Sequence, residues 1–175
     1  MKKTIIVLVM VALCATVFAS FQTGINVMLG APLSSVYSSV KEKDYSVVKE
    51  LENSEITAKL CLDFLSLDFG FEGGIVFQNE TVAPIFKAYG GLKATVLGFL
   101  KLGGGAGCRF AFIENGSYEK ELYWRVSGGM EIGDFSLEGI ATMPVELSNG
   151  FRNTFNFGSH ANAVRLGVGF GIKLK

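Results

Sequence analysis

From Asp68 to Phe77 the chain alternates residue by residue, with Phe69, Phe71, Gly73, Ile75 and Phe77 on one side and Asp68, Gly70, Glu72, Gly74 and Val76 on the other. Successive side chains leave a pleated strand on opposite faces, so a period of two predicts a β-strand. The same period recurs in eight segments bounded by turn-forming residues: 22–33, 56–65, 68–78, 85–97, 100–113, 120–132, 135–145 and 161–174. Helical spacing is confined to one connection, where Val36, Tyr37, Val40, Val47, Val48 and Leu51 predict a short helix in a loop.

The connections alternate as strictly as the residues do. Ser66–Leu67, Gly98–Phe99 and Gly133–Asp134 are two-residue joints, and the two containing glycine suit hairpin turns that need positive φ. The others, 34–55, 79–84, 114–119 and 146–160, are longer and polar. An up-and-down meander puts all the tight turns at one end and all the long loops at the other. Pro32, Pro84 and Pro144 fall at the long-loop end, where a missing ladder donor costs least. The pattern predicts an all-β fold, an eight-stranded antiparallel up-and-down barrel. Loops of this asymmetry describe one that crosses a membrane.

The two faces differ in chemistry. One carries Ala58, Leu60, Leu62 and Phe64, then Phe86, Ala88, Leu92, Ala94 and Val96, then Leu122, Trp124, Val126, Met130 and Ile132, and in the last segment Val164 to Leu174 at every second position. None of these is charged. The other carries Lys59, Asp63, Glu72, Lys87, Lys93, Lys101, Arg109, Glu121, Arg125, Glu131, Glu138, Arg165 and Lys173, interleaved with glycines. In a soluble barrel the apolar face would be the core and the charges would meet water. In a membrane barrel the assignment inverts, and the charges fill the lumen. The glycines favour the inversion. On a water-facing sheet glycine only weakens the strand, whereas inside a barrel of eight strands long Lys and Arg need small neighbours. Aromatics stand near both ends of the apolar face: Phe64, Phe69 and Phe135 toward the tight turns, Phe77, Phe86, Phe112 and Trp124 toward the loops. Two such belts match the two interfaces of a bilayer. By their distance from the turns, Asp63, Asp68, Lys101, Glu131 and Lys173 are expected low in the lumen, Glu72, Lys93 and Glu138 at mid-height, and Lys87, Arg109, Glu121, Arg125 and Arg165 higher.

The first twenty residues, MKKTIIVLVMVALCATVFAS, change the destination. Lys2 and Lys3, a short apolar run and small residues before Ser20 predict a secretory signal peptide over 1–19, leaving 20–175 as the barrel domain. The run is too short for a helix that spans a bilayer in about 20 residues. Removing Lys2 and Lys3 from the 16 basic residues leaves 14 against 16 acidic ones, so nothing attracts nucleic acid. Cys61 and Cys108 point to opposite faces of non-neighbouring strands and are expected as free thiols. No metal-ligand cluster, phosphate loop or haem motif is present in the sequence, and no cofactor is expected.

With a leader, eight alternating segments, asymmetric loops and the glycine-rich final segment VRLGVGFGIKLK, the chain resembles the small eight-stranded outer-membrane barrels of the OmpA transmembrane-domain and OmpX/Ail type. It departs from them at its end, where Leu174 and Lys175 stand in place of an aromatic residue. The resemblance implies a bacterial outer-membrane location, a monomer in contact with outer-membrane lipid, and loops that engage an extracellular protein or surface ligand. Tyr37 and Tyr45 in the first long loop, and Phe151, Arg152, Phe155 and Phe157 in the last, are the loop contacts it would use.

The leading expectation is a structural barrel with a largely plugged lumen. A narrow or gated pore is the alternative within this architecture, and a secreted lipocalin-like barrel or a lipid-modifying enzyme lies outside it. Ser159 and His160 are the only nearby Ser–His pair, but adjacent residues on a strand point apart and no carboxylate is in reach. The expectation is therefore a non-enzyme.

Overall fold

The computed structural model describes residues 19–42, 52–78, 81–112, 117–145 and 163–174. They form β1 (Ala19–Pro32), α1 (Leu33–Glu42), β2 (Glu55–Phe64), β3 (Leu67–Gln78), β4 (Thr81–Val96), β5 (Leu100–Phe112), β6 (Tyr118–Ile132), β7 (Phe135–Pro144) and β8 (Arg165–Leu174). Each strand pairs antiparallel with the next and β8 returns to β1, so the fold is an all-β, closed, eight-stranded up-and-down barrel. The expected leader over 1–19 lies outside the described residues except for Ala19, which opens β1. α1 carries Val36, Tyr37 and Val40 of the expected loop helix, and Val47, Val48 and Leu51 lie outside the described residues. The helix starts where Pro32, which cannot donate to a ladder, ends β1.

Register sets the shape. A path straight across the strands from Leu166 meets Ala141, Val126, Gly104, Leu92, Leu67, Phe64 and Ala19 in turn. Ala19 lies two residues before Phe21, whose β8 partner is Leu174, so the path re-enters β8 two residues beyond Leu174, ten from its start at Leu166. Ten residues of about 3.3 Å each, set against eight strand spacings of about 4.8 Å, tilt the strands by about 40°.

At one end the joints are tight. Gly133 supplies positive φ as expected, but Leu65 (φ 55°) and Leu97 (φ 55°, followed by Gly98 at 74°) take the same conformation without being glycine. The first joint is therefore Leu65–Ser66, because Leu67 already pairs with Phe64, and the second takes three residues, Leu97 to Phe99. Each joint is tied to the strand that follows its hairpin, with Lys93, Glu131 and Lys173 donating their amides to the carbonyls of Ser66, Phe99 and Asp134 at 2.7, 2.8 and 2.8 Å.

The core of this barrel is polar and its surface apolar. Phe71 is 66% exposed while its neighbour Glu72 is 4% exposed, and the same inversion runs round the barrel. Phe21, Ile25, Leu60, Leu92, Leu102, Val126, Ile132 and Phe170 all stand outward, and Gln22, Asn26, Thr57, Lys59, Lys87, Arg109 and Arg125 are all buried within. Among the described strand residues the outward positions carry a single charge, Lys120, whose ammonium lies 5.9 Å from the centre of the Phe110 ring.

Candidate functional site in the lumen

Every lumen charge predicted from the alternation points inward and is paired. Lys59, Glu72, Lys87, Arg109 and Glu121 are successive cross-strand partners on one rung, so a cation meets a carboxylate at every step except between Lys87 and Arg109, which share Glu55. Glu55 stands at the loop end, 1% exposed, ion-paired with Lys87 and with Arg109 (2.8 Å) and Arg165 (3.4 Å). Arg165 and Arg109 also reach Glu121 at 2.8 and 3.6 Å, and Arg109 reaches Glu119 at 3.2 Å. Glu72 lies below, taking hydrogen bonds from Asn26 (2.7 Å) and Thr57 (2.9 Å) and facing Arg125 at 3.2 Å and Lys87 at 3.8 Å. Glu138 closes this level, 2.9 Å from Lys59 and 3.4 Å from Arg125.

A second network fills the tight-turn end. Asp63 meets Lys93 at 3.1 Å and Lys101 at 3.9 Å, and Glu131 is paired with both Lys101 and Lys173. Lys93 was expected at mid-height and Arg125 higher. Lys93 instead pairs with Asp63 in the low network, and Arg125 pairs with Glu72 and Glu138, the carboxylates expected at mid-height. The cause is the strand stagger, which shifts the level reached by a given number of residues from a turn as the sheet winds round.

Small residues make this interior fit. Cys61, Gly70, Tyr89, Gly107 and Tyr123 are successive partners on one rung. A Cβ at Gly70 would strike the Tyr89 ring, and one at Gly107 would lie 2.6 Å from the Tyr123 hydroxyl. The two phenols thus occupy space that glycine vacates, and the Arg125 guanidinium stacks 4.3 Å from the Tyr89 ring centre. Neither tyrosine was singled out by the sequence reading, nor were Asn26, Thr57 and Glu55. Glu55 fell one residue outside the predicted strand; its parity with Thr57 and Lys59 would have revealed it.

Part of the lumen is apolar. Val76, Ala83, Ile85 and Ala111 face inward and form a dry cluster at the loop end, with Val76, Ile85 and Ala111 at 0% exposure. The interior is therefore polar up to an apolar seal on the β3–β5 side. Cavities of about 10 Å³ each lie beside Asp68 and Arg125, beside Gln22, Lys93 and Glu138, and within the first network beside Tyr123, Glu55 and Arg165. At the tight-turn end space opens into a vestibule of about 640 Å³ bordered by Asp63, Lys93, Lys101, Glu131 and Lys173.

The remaining predicted residues sort by face. Phe64, Phe69, Phe77, Phe86, Phe112, Trp124 and Phe135 all occupy outward positions. Phe69 lies over its cross-strand partner Gly90, where an added Cβ would stand 3.2 Å from the ring, and Phe86 packs edge-on against Phe112, with ring centres 6.1 Å apart. Cys61 and Cys108 are free; the Cys61 thiol lies inside, 3.0 Å from the Tyr89 hydroxyl, and Cys108 faces outward. Tyr37 is 69% exposed on α1. Tyr45, Phe151, Arg152, Phe155, Phe157, Ser159 and His160 lie outside the described residues. Among the described residues no group of His, Cys, Asp and Glu is arranged to hold a metal ion. No protein-family model matches the chain, and a search of the curated proteins finds no relative.

Proposed function

We propose that this chain is a membrane-spanning barrel of a bacterial outer membrane, exported by its leader and closed to ions. In this role it is a non-catalytic scaffold that presents its long loops outside the cell. The observation that carries the proposal is the inversion of burial: among the described residues, an apolar belt with the single charge Lys120 outside, and two ion-pair networks inside. A belt of that size exposed to water would carry a large hydrophobic penalty, which lipid removes. Closed strands also satisfy their own backbone groups, as a spanning structure must. Strands of 10 to 16 residues at this tilt suffice to cross the hydrocarbon layer, for which about 9 to 11 are needed.

A ligand-binding soluble barrel needs an apolar interior cavity, and this interior holds charged side chains and spaces of about 10 Å³. The same packing favours a plug over a pore, since an ion would have to displace paired charges and the Val76–Ile85 seal. The lone tryptophan provides the test. Refolded into vesicles of lipid brominated along the acyl chains, Trp124 is expected to be quenched strongly, and planar bilayers containing the protein are expected to show no unitary steps. An unquenched protein that stays soluble without detergent would overturn the membrane reading, and regular single-channel steps would overturn the plug. Deleting 36–51 is expected to leave the barrel intact and to reduce attachment of cells that display it; unchanged attachment would remove the first loop from the proposal.

A further inference from the structure

The two ion-pair networks are not joined by any direct ion pair among the described residues. The upper one contains five carboxylates (Glu55, Glu72, Glu119, Glu121, Glu138) and five cations (Lys59, Lys87, Arg109, Arg125, Arg165). The lower one contains Asp63 and Glu131 against Lys93, Lys101 and Lys173, one negative charge short. Asp68 is a further acidic side chain beside this network that enters none of its ion pairs. It is 6% exposed and sits opposite Asp63, yet its Oδ1 accepts no hydrogen bond from the protein.

On the rung that carries Asp68 the next partners are Gly91, Gly105 and Arg125. Gly91 and Gly105 face each other across β4 and β5, and a Cβ on either would run into backbone of the other strand. This glycine step leaves a cavity of about 10 Å³ between Asp68 and Arg125, floored by Gly91 and Gly105 and flanked by Tyr89 and Ser127. The Arg125 Nε, 5% exposed as a residue, is likewise without a protein acceptor. The site thus offers one buried donor and one buried acceptor.

We propose that this cavity is a binding site for a single structural water that accepts from Arg125 Nε and donates to Asp68 Oδ1. The donor set selects it. A cation would face the guanidinium and an anion the carboxylate, whereas water satisfies both and fits a space of one probe sphere. The water couples the lower network to the upper one across the glycine step. The same logic fills the other two cavities, which lie beside two more buried polar atoms without protein partners: Gln22 Nε2 near Lys93 and Lys101, and the Tyr123 hydroxyl near Glu55 and Arg165. The lumen is then wetted by discrete waters while closed to flow. This inference needs only the barrel and stands whether or not the chain resides in a membrane.

Oxygen-17 magnetic relaxation dispersion on the refolded full chain in detergent counts its long-lived internal waters. About three are expected. Asp68→Leu fills the cavity and should lower the dispersion amplitude by about one third, while Asp68→Asn keeps an acceptor and should leave it unchanged. An unchanged amplitude in a folded Asp68→Leu protein, or no dispersion in the parent, would overturn the site. Should Asp68→Leu fail to fold, hydroxyl-radical labelling by X-ray pulses tests the parent directly. Tyr89, which lines the cavity, is expected to be labelled well above the dry Ile85 after correction for intrinsic reactivity, and equal labelling would refute the proposal.

Discussion

Replacing Glu72 by Gln removes one charge from the middle of the upper network with little change of shape. The carboxylate receives Asn26 on Oε1 and Thr57 on Oε2, with Arg125 3.2 Å and Lys87 3.8 Å away. A glutamine keeps one oxygen and turns an NH₂ group toward these donors, so at least one buried donor loses its acceptor. Removing one partner of a buried ion pair costs about 3–5 kcal/mol. Arg125 keeps Glu138 at 3.4 Å and Lys87 keeps Glu55, which places the expected loss at the lower end, about 3 kcal/mol. With a slope of about 2 kcal/mol per molar urea, the unfolding midpoint in lipid vesicles should fall by about 1.5 M. The titration is followed by Trp124 fluorescence and by the gel mobility of unheated samples. Combining Glu72→Gln with Arg125→Met should recover part of the loss, with a coupling of at least about 1 kcal/mol. A midpoint within about 0.3 M of the parent at unchanged slope would refute the view that these charges stabilise the barrel as a network.

Face assignment is tested at the neighbouring position. Phe71→Arg should destabilise the protein in bilayers by about 2–4 kcal/mol, whereas a water-exposed Phe71 would tolerate the change, as urea titration in vesicles will show. Glycine on the two faces should behave oppositely: Gly105→Ala drives a Cβ into the Gly90 carbonyl and should prevent formation of the heat-modifiable barrel. On the outward side, Gly128→Ala meets nothing closer than Leu102 at 3.4 Å and should change stability by less than about 0.5 kcal/mol. Cys61, buried beside Tyr89, should resist a water-soluble maleimide in the folded protein, and both Cys61 and Cys108 should react once it is unfolded; mass spectrometry reads the difference, and rapid labelling of folded Cys61 would contradict its place in the lumen.

Alternation made the faces legible because it is a local property of a strand. Phe69, Phe71 and Ile75 declare one side of β3 and Asp68, Glu72 and Gly74 the other, whatever the rest of the chain does. The tight joints were legible to within a residue, and they erred at Leu65, where a hairpin takes positive φ without the glycine that usually announces it, and at Leu97, which takes it one residue ahead of the expected Gly98. Partners were not legible, because they depend on a property of the closed sheet. Lys59 reaches Glu138 across 79 residues and Arg165 reaches Glu55 across 110, pairings that exist only once eight registers have closed with a net stagger of ten. Shifting a single hairpin by two residues would keep every face and change most of those partners. That is why Lys93 and Arg125 were assigned to the wrong levels while their direction was right. The inward apolar cluster escaped for a related reason. Val76 and Ile85 share the parity of Glu72 and Lys87, and parity reports a face without reporting height. The sign of each face is thus written residue by residue, and the closure of the lumen is written in the stagger.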